Sequence, residues 1–310
     1  MNQAFCAVES RAIGDPLVGS GVHPERNLLL SWPRPKWQRN LRQASDMPEA
    51  LSAALHALPD EGRRVNLIHR REQAEHHHRV FLMPERLAFD VPREALGDFL
   101  AALRRGEDLT AWRPETVERS LLLCCTHGKK DKCCAKFGFA TYKAMADAAH
   151  RHDLPFDVWE STHLGGCRLA ASALLLPQLR KYGRIGDDDI LPLLESEARG
   201  RPYLPCYRGD SRLTPRRQCA QVAALEWLAA RGLEADIEVM DDTDEADAPD
   251  DTYRELRVAW HTTHQSGRLT ITCHALELLR HDTCADLPNG PSPSRVWRAV
   301  AVHESTPAPA

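Results

Sequence analysis

The chain has 310 residues, 43% of them hydrophobic, enough to bury one large core or two moderate ones. A formal net charge of −4 at pH 7 argues against a general nucleic-acid binder, and no apolar run reaches the roughly eighteen residues that a membrane span requires. Ten cysteines follow a start, MNQAFCAVESRAIGD, that lacks a basic-then-apolar leader, so a reducing, cytoplasmic setting is expected, with thiols serving metal or redox chemistry rather than a disulfide framework.

Taken in order, residues 27–32 (NLLLSW) predict a strand, and residues 47–58 a helix with apolar positions at helical spacing. Residues 64–68 and 79–82 predict further strands, with His76, His77 and His78 expected in an exposed turn between them. Residues 87–91 alternate as a strand does, and residues 93–105 predict a helix. This order, βαβ then ββα, is that of a thioredoxin-like unit, here without ligands.

The order recurs in the centre: a strand at 119–125, a helix at 135–151, a strand at 155–160, strands near 169–176 and 182–185, and a helix at 187–199. Fold class is therefore expected to be α/β, with two fused thioredoxin-like halves at 1–117 and 118–200. Cys125, Cys134, His163 and Cys167 form a C-x8-C-x28-H-x3-C pattern in the second half. Two parallel strands joined by a helix leave their following loops at one sheet edge, so ligands distant in sequence meet there. On a strand only one of Cys124 and Cys125 faces the site; Cys125, at the strand's end, is the better placed. Cys133 and Cys134 are left as alternatives by local pattern alone.

A third region, 201–310, opens with Thr214-Pro215 as a helix start and Gly232 as its stop. The block 241–251 (DDTDEADAPDD) carries seven carboxylates in eleven residues and is expected to be a solvated loop. Residues 256–260, 269–272 and 296–300 predict strands of a small antiparallel sheet, and the tail STPAPA is expected to be disordered. Cys6, Cys206, Cys219, Cys273 and Cys284 are scattered and read as buried or idle thiols, and His261 with His264 as an ordinary surface pair. Neither GxGxxG nor GxxxxGK[ST] occurs, so no nucleotide loop is supported.

Four stretches, CTHGKKDKCCA (125–135), VWESTHLGGCRLAA (158–171), LPQLRKYGRI (176–185) and YRGDSRLTPRRQCA (207–220), resemble the sucrase/ferredoxin-like family, whose members include thioredoxin-like ferredoxins. A weaker likeness lies at 6–22. The resemblance implies a [2Fe-2S] cluster held by Cys125, Cys134, His163 and Cys167, and it favours Cys134 over Cys133. The family commonly has His-x3-His where this chain has His163 and Cys167. Three thiolates and one imidazole are then expected to give a potential between the roughly −400 mV of all-cysteine plant-type clusters and the roughly −150 to +300 mV of two-histidine ones. Electron transfer is expected to depend on pH through the imidazole.

The implied role is a one-electron carrier between a donor reductase and an acceptor protein. Lys129, Lys130, Lys132, Lys136, Arg168, Arg180, Lys181 and Arg184 make the segment basic, either as a solvated loop or as a docking face for an acidic partner. His127 is either a donor to a cluster sulfur or solvated, and Gly165-Gly166 are expected to turn the chain between His163 and Cys167. Three cysteines and a histidine also suit zinc, though neither pair has the tight spacing of a zinc knuckle. A thiol–disulfide oxidoreductase is the enzyme alternative, but no C-x-x-C is present. Sucrase activity is unsupported, because no carboxylate pair stands out.

Overall fold

The computed structural model describes residues 4–73, 76–240 and 252–304; the acidic block 241–251 and the tail 305–310 lie outside them. In chain order the elements are α1 (Cys6–Ala12), β1 (Asn27–Ser31), α2 (Glu49–Ala57), β2 (Arg64–His69), β3 (His77–Met83), β4 (Leu87–Pro92), α3 (Leu96–Arg105) and β5 (Glu115–Thr116). Then come β6 (Ser120–Cys125), a π-helical turn (Cys134–Gly138), α4 (Phe139–Arg151), β7 (Phe156–Ser161), β8 (Ala173–Leu176), β9 (Arg180–Tyr182), α5 (Ile190–Ala198) and β10 (Tyr207–Asp210). The chain continues with α6 (Pro215–Ala229), β11 (Asp236–Val239), β12 (Tyr253–His261), β13 (Ser266–Arg280) and β14 (Ser292–Glu304).

Mixed α/β architecture follows from how the strands pair. Ten of them form one sheet in the order β10-β9-β8-β6-β7-β2-β1-β3-β4-β5. The order β2-β1-β3-β4 recurs as β7-β6-β8-β9, with the first pair parallel and the next two antiparallel in each case. Between the repeats, β2 meets β7 antiparallel through Ile68↔Ser161 and His69↔Glu160. The second sheet, β11-β12-β13-β14, is wholly antiparallel and packs on α6.

Why the central strands read as unbroken apolar runs is clear from their burial: both faces are covered. In β1, Leu29 joins one core while Leu28 and Leu30 join another under α2 and α3. In β6, Leu121, Leu123 and Cys125 lie in the same core as Leu29, Ile68 and Phe81, whereas Leu122 and Cys124 pack under α4 and α5. One continuous core therefore runs beneath both repeats, and the period-two alternation of β6 assigns each of its cysteines to a face.

Some expected boundaries move for identifiable reasons. The helix expected from residue 135 opens as a π turn and becomes regular only at Phe139, because Gly138 lies hard against the carbonyl of Cys125. The strand expected at 169–176 begins at Ala173, since the residues before it are spent returning the chain from the Cys167 turn. The histidine trio is not an exposed turn: β3 starts at His77, and His78 is buried. Its ring stacks on Trp32 at 4.4 Å, and its Nδ1–H donates to the Ser31 carbonyl at 2.5 Å.

Burial, set against that one hydrogen bond, holds the His78 pKa below its usual 6.5. Above the unfolded value of about 6.5 the ring is neutral in both states; below it the unfolded chain binds the proton more readily, so stability falls as pH drops. In chemical denaturation, the parent's midpoint is expected to fall relative to that of His78→Phe between about pH 7.5 and pH 5.5. Parallel midpoints would remove His78 as a source of acid sensitivity.

Candidate metal centre

Strands β6 and β7 run parallel in register, with Cys125 opposite Ser161. Their following loops consequently leave from one edge of the sheet. Cys125 ends β6 on the face of the shared core, and Cys134 opens the π turn that leads into α4. Such single π turns recur at functional sites. From the second loop, Gly165 (φ +92°) and Gly166 (φ +79°) adopt left-handed conformations that fold Cys167 back onto His163.

The four residues named from the sequence are brought together. Cys125 Sγ lies 3.4 Å from Cys134 Sγ, Cys134 Sγ 3.8 Å from Cys167 Sγ, and Cys167 Sγ 3.3 Å from His163 Nδ1. Ligand atoms of Cys125, Cys134 and His163 all lie within 4.8 Å of one another. The three cysteines are buried and His163 is half-buried, so the imidazole is the member nearest solvent. Cys124 faces the other way, its Sγ 3.6 Å from Met145 Sδ. Cys133 points away from the quartet as well, toward Cys6 and Cys284.

The first repeat holds the His163 loop in place. Arg64 donates to the His163 carbonyl at 2.7 Å, and Asn66 Nδ2 donates to the carbonyls of Thr162 and His163 at 3.2 Å. Thr162 Oγ1 accepts the Leu67 N–H at 3.0 Å and donates to the Leu41 carbonyl at 2.9 Å. His127 is neither solvated nor bonded to a sulfur. Its Nδ1 accepts the His163 N–H at 3.3 Å, leaving Nε2–H to donate to the Gln38 carbonyl at 2.6 Å.

Electrostatics favour anionic sulfur here. Hydrogen bonding from Cys134 and His163 holds the Cys125 thiol well below its ordinary range despite burial, and Cys134 similarly lowers Cys167. The same contacts push Cys134 itself up. Burial disfavours the His163 imidazolium, but the Cys125 and Cys167 sulfurs outweigh it and raise the pKa to about 9. Three basic side chains lie around the group: burial lowers half-buried Arg64 to about 10 and buried Arg208 to about 9, and it pushes buried Lys181 well below its usual range, toward the neutral amine. Arg208 donates to the Gly165 carbonyl at 3.2 Å, and with Lys181 it lines a cavity of about 300 Å³ beside the Gly165-Gly166 turn.

Arg64 and Arg208 were not visible as site residues in local pattern, although Arg208 falls within a stretch that carries the family likeness. Lys181 belongs to the interior and not to a solvated or docking loop. Arg168 is buried too, paired with Asp15 at 2.7 Å and Asp282 at 3.1 Å, while Arg180 pairs with Glu197 at 2.6 Å. Arg184 donates to the Asp15 carbonyl at 2.7 Å. Of the basic residues expected on one face, Lys129, Lys132 and Lys136 are the exposed ones. Cys206, Cys219 and Cys273 are buried thiols as expected, but Cys6 and Cys284 are not scattered: they meet Cys133.

A family model described as sucrase/ferredoxin-like matches residues 17–209. No curated protein matches the chain. Two solved structures of the thioredoxin-like [2Fe-2S] ferredoxin from Aquifex aeolicus are similar to part of it, each at 13% identity with a TM-score of 0.26. They cover 29% of this chain and 90% and 96% of their own. Among the described residues no helix is long and apolar enough to cross a membrane.

Proposed function

Because the chain belongs to the sucrase/ferredoxin-like family, we propose that it is a one-electron carrier whose [2Fe-2S] cluster is held by Cys125, Cys134, His163 and Cys167. The observation that carries this reading is the convergence of three sulfurs and one imidazole nitrogen, with successive neighbours 3.3–3.8 Å apart. The donor set fits the group: thiolates are its ordinary ligands, and an imidazole replaces one of them in known clusters. When bound, the cluster supplies reversible one-electron oxidation and reduction. The recurrent strand order supports reading residues 1–117 and 118–200 as two thioredoxin-like units, the second carrying the ligands, followed by a C-terminal region at 201–310.

The protein's own residues prepare the site in three ways. Arg64 and Arg208 offset negative charge on the sulfurs, which favours the reduced state and raises the potential. Arg64 and Asn66 grip the His163 carbonyl, and His127 the His163 amide, fixing the imidazole's approach. Lys129, Lys132 and Lys136, exposed on the first loop and the π turn, offer a positive face to a donor or acceptor with acidic groups.

The compactness of the quartet favours one alternative, a single tetrahedral zinc ion, because ligands on one ion stand about 3.5–4 Å apart. Anaerobic purification followed by an absorption spectrum and counts of iron and acid-labile sulfide separates the two. The proposal expects a visible chromophore with iron and sulfide in equal amounts. A colourless protein with no iron overturns it.

A further inference from the structure

A second group of sulfurs is assembled from the two ends of the chain and its centre. Cys6 opens α1, Cys133 immediately precedes the π turn, and Cys284 sits in the loop between β13 and β14. Their Sγ atoms form a nearly equilateral triangle with sides of 3.5 Å (Cys6–Cys133), 3.4 Å (Cys133–Cys284) and 3.6 Å (Cys284–Cys6). All three are buried and none is in a disulfide. Asp131, only 3% exposed, completes the group, each of its oxygens 4.0 Å from Cys6 Sγ. The four ligand atoms lie within 4.8 Å of one another.

We infer that Cys6, Cys133, Cys284 and Asp131 bind one zinc ion, at a structural site separate from the quartet. Sulfurs around a tetrahedral zinc with Zn–S near 2.3 Å stand roughly 3.8 Å apart, so the triangle is already close to the required size. Three thiolates select zinc over calcium or magnesium, and a closed, fully buried shell is the mark of a structural ion. Three sulfurs cannot pair off as disulfides without leaving one over. The charge also balances as in a four-cysteine site: three thiolates and a carboxylate around a dication leave two negative charges.

Supporting contacts of the kind that orient metal ligands are in place. The Cys133 N–H donates to Asp131 Oδ1 at 2.8 Å and the Cys284 N–H to Oδ2 at 2.7 Å. The Ala7 N–H points at Cys133 Sγ at 3.5 Å. Binding converts three thiols to thiolates and releases their protons to solvent. Cys6 and Cys284 both lie outside residues 17–209, so the ion ties α1 and the β13–β14 loop onto the family unit. The inference does not depend on what the quartet holds.

X-ray absorption at the zinc edge of the full chain, as isolated, needs no variant. About one zinc per chain with three sulfur neighbours and no imidazole scattering supports the site, as do two zincs per chain if the quartet holds zinc as well; absence of zinc, or imidazole scattering with no more than one zinc per chain, overturns it. In Cys6→Ser and Cys284→Ser, zinc content is expected to fall roughly tenfold or more while iron is unchanged. A chain with iron but no zinc sinks this inference alone, whereas zinc in the sulfur–oxygen site without iron sinks only the electron-carrier reading. For a readout free of the quartet, Cys134→Ser protein stripped of metal is titrated with Co2+. Tetrahedral thiolate-to-cobalt bands that disappear when Cys284→Ser is added support the site, and bands unaffected by that change overturn it.

Discussion

Cys134→Ser is expected to yield a colourless protein that retains little iron. Cys134 is the middle member of the quartet, 3.4 Å from Cys125 Sγ and 3.8 Å from Cys167 Sγ, so its loss breaks the chain of contacts at its centre. A serine hydroxyl is a harder, far less acidic ligand than a thiol, and the buried site offers no water-rich route to ionise it. The loss of affinity should exceed the roughly 10–100-fold that follows from removing an outer partner of a metal ligand. Cys124→Ser is the matched control, because Cys124 Sγ lies on the opposite face of β6 against Met145. Iron content and visible absorption decide the matter: iron retained in Cys134→Ser, or lost in Cys124→Ser, removes this assignment of ligands.

Gly138→Ala is expected to damage both fold and site, though it adds a single methyl group. A Cβ built at Gly138 would stand 1.9 Å from the Cys125 carbonyl oxygen and 3.1 Å from its carbon. Both atoms are backbone at the end of a central strand, so nothing there can rotate away. Gly138 has ordinary helical φ, which leaves this collision as the whole cost. Either α4 retreats from β6 or the π turn opens, and both movements shift Cys134 from Cys125. Overpacking of this kind costs about 1–3 kcal/mol, more where backbone must yield. Gly97→Ala in α3, whose Cβ would meet nothing within 4 Å, is expected instead to stabilise by roughly 0.5–1 kcal/mol. Denaturation midpoints and iron content of the two variants test the contrast; equal midpoints would sink it.

Local pattern made a definite part of this molecule legible. The apolar runs of β1 and β6 announced strands covered on both faces, and alternation put Cys124 and Cys125 on opposite faces, with the strand's end singling out Cys125. The x3 spacing with paired glycines announced the turn that returns Cys167 to His163. What stayed hidden depends on strands meeting across the chain. Arg64 and Asn66 reach the His163 loop only because β2 pairs with β7, a register that no short stretch encodes. Cys133 meets Cys6 and Cys284 across 127 and 151 residues, separations that carry no periodicity. The histidine trio was misleading for the opposite reason: its position between two expected strands suggested a turn, while the Trp32 ring and the Ser31 carbonyl gave His78 a buried place in β3.

The pairing of β2 with β7 rests on only two residue pairs, yet it closes the flank of the strand that carries His163's loop. Cut away from the N-terminal repeat, β7 would present bare amides and carbonyls along one side, the arrangement through which unrelated chains stack into aggregates. The ligandless repeat thus acts as a permanent guard for its neighbour.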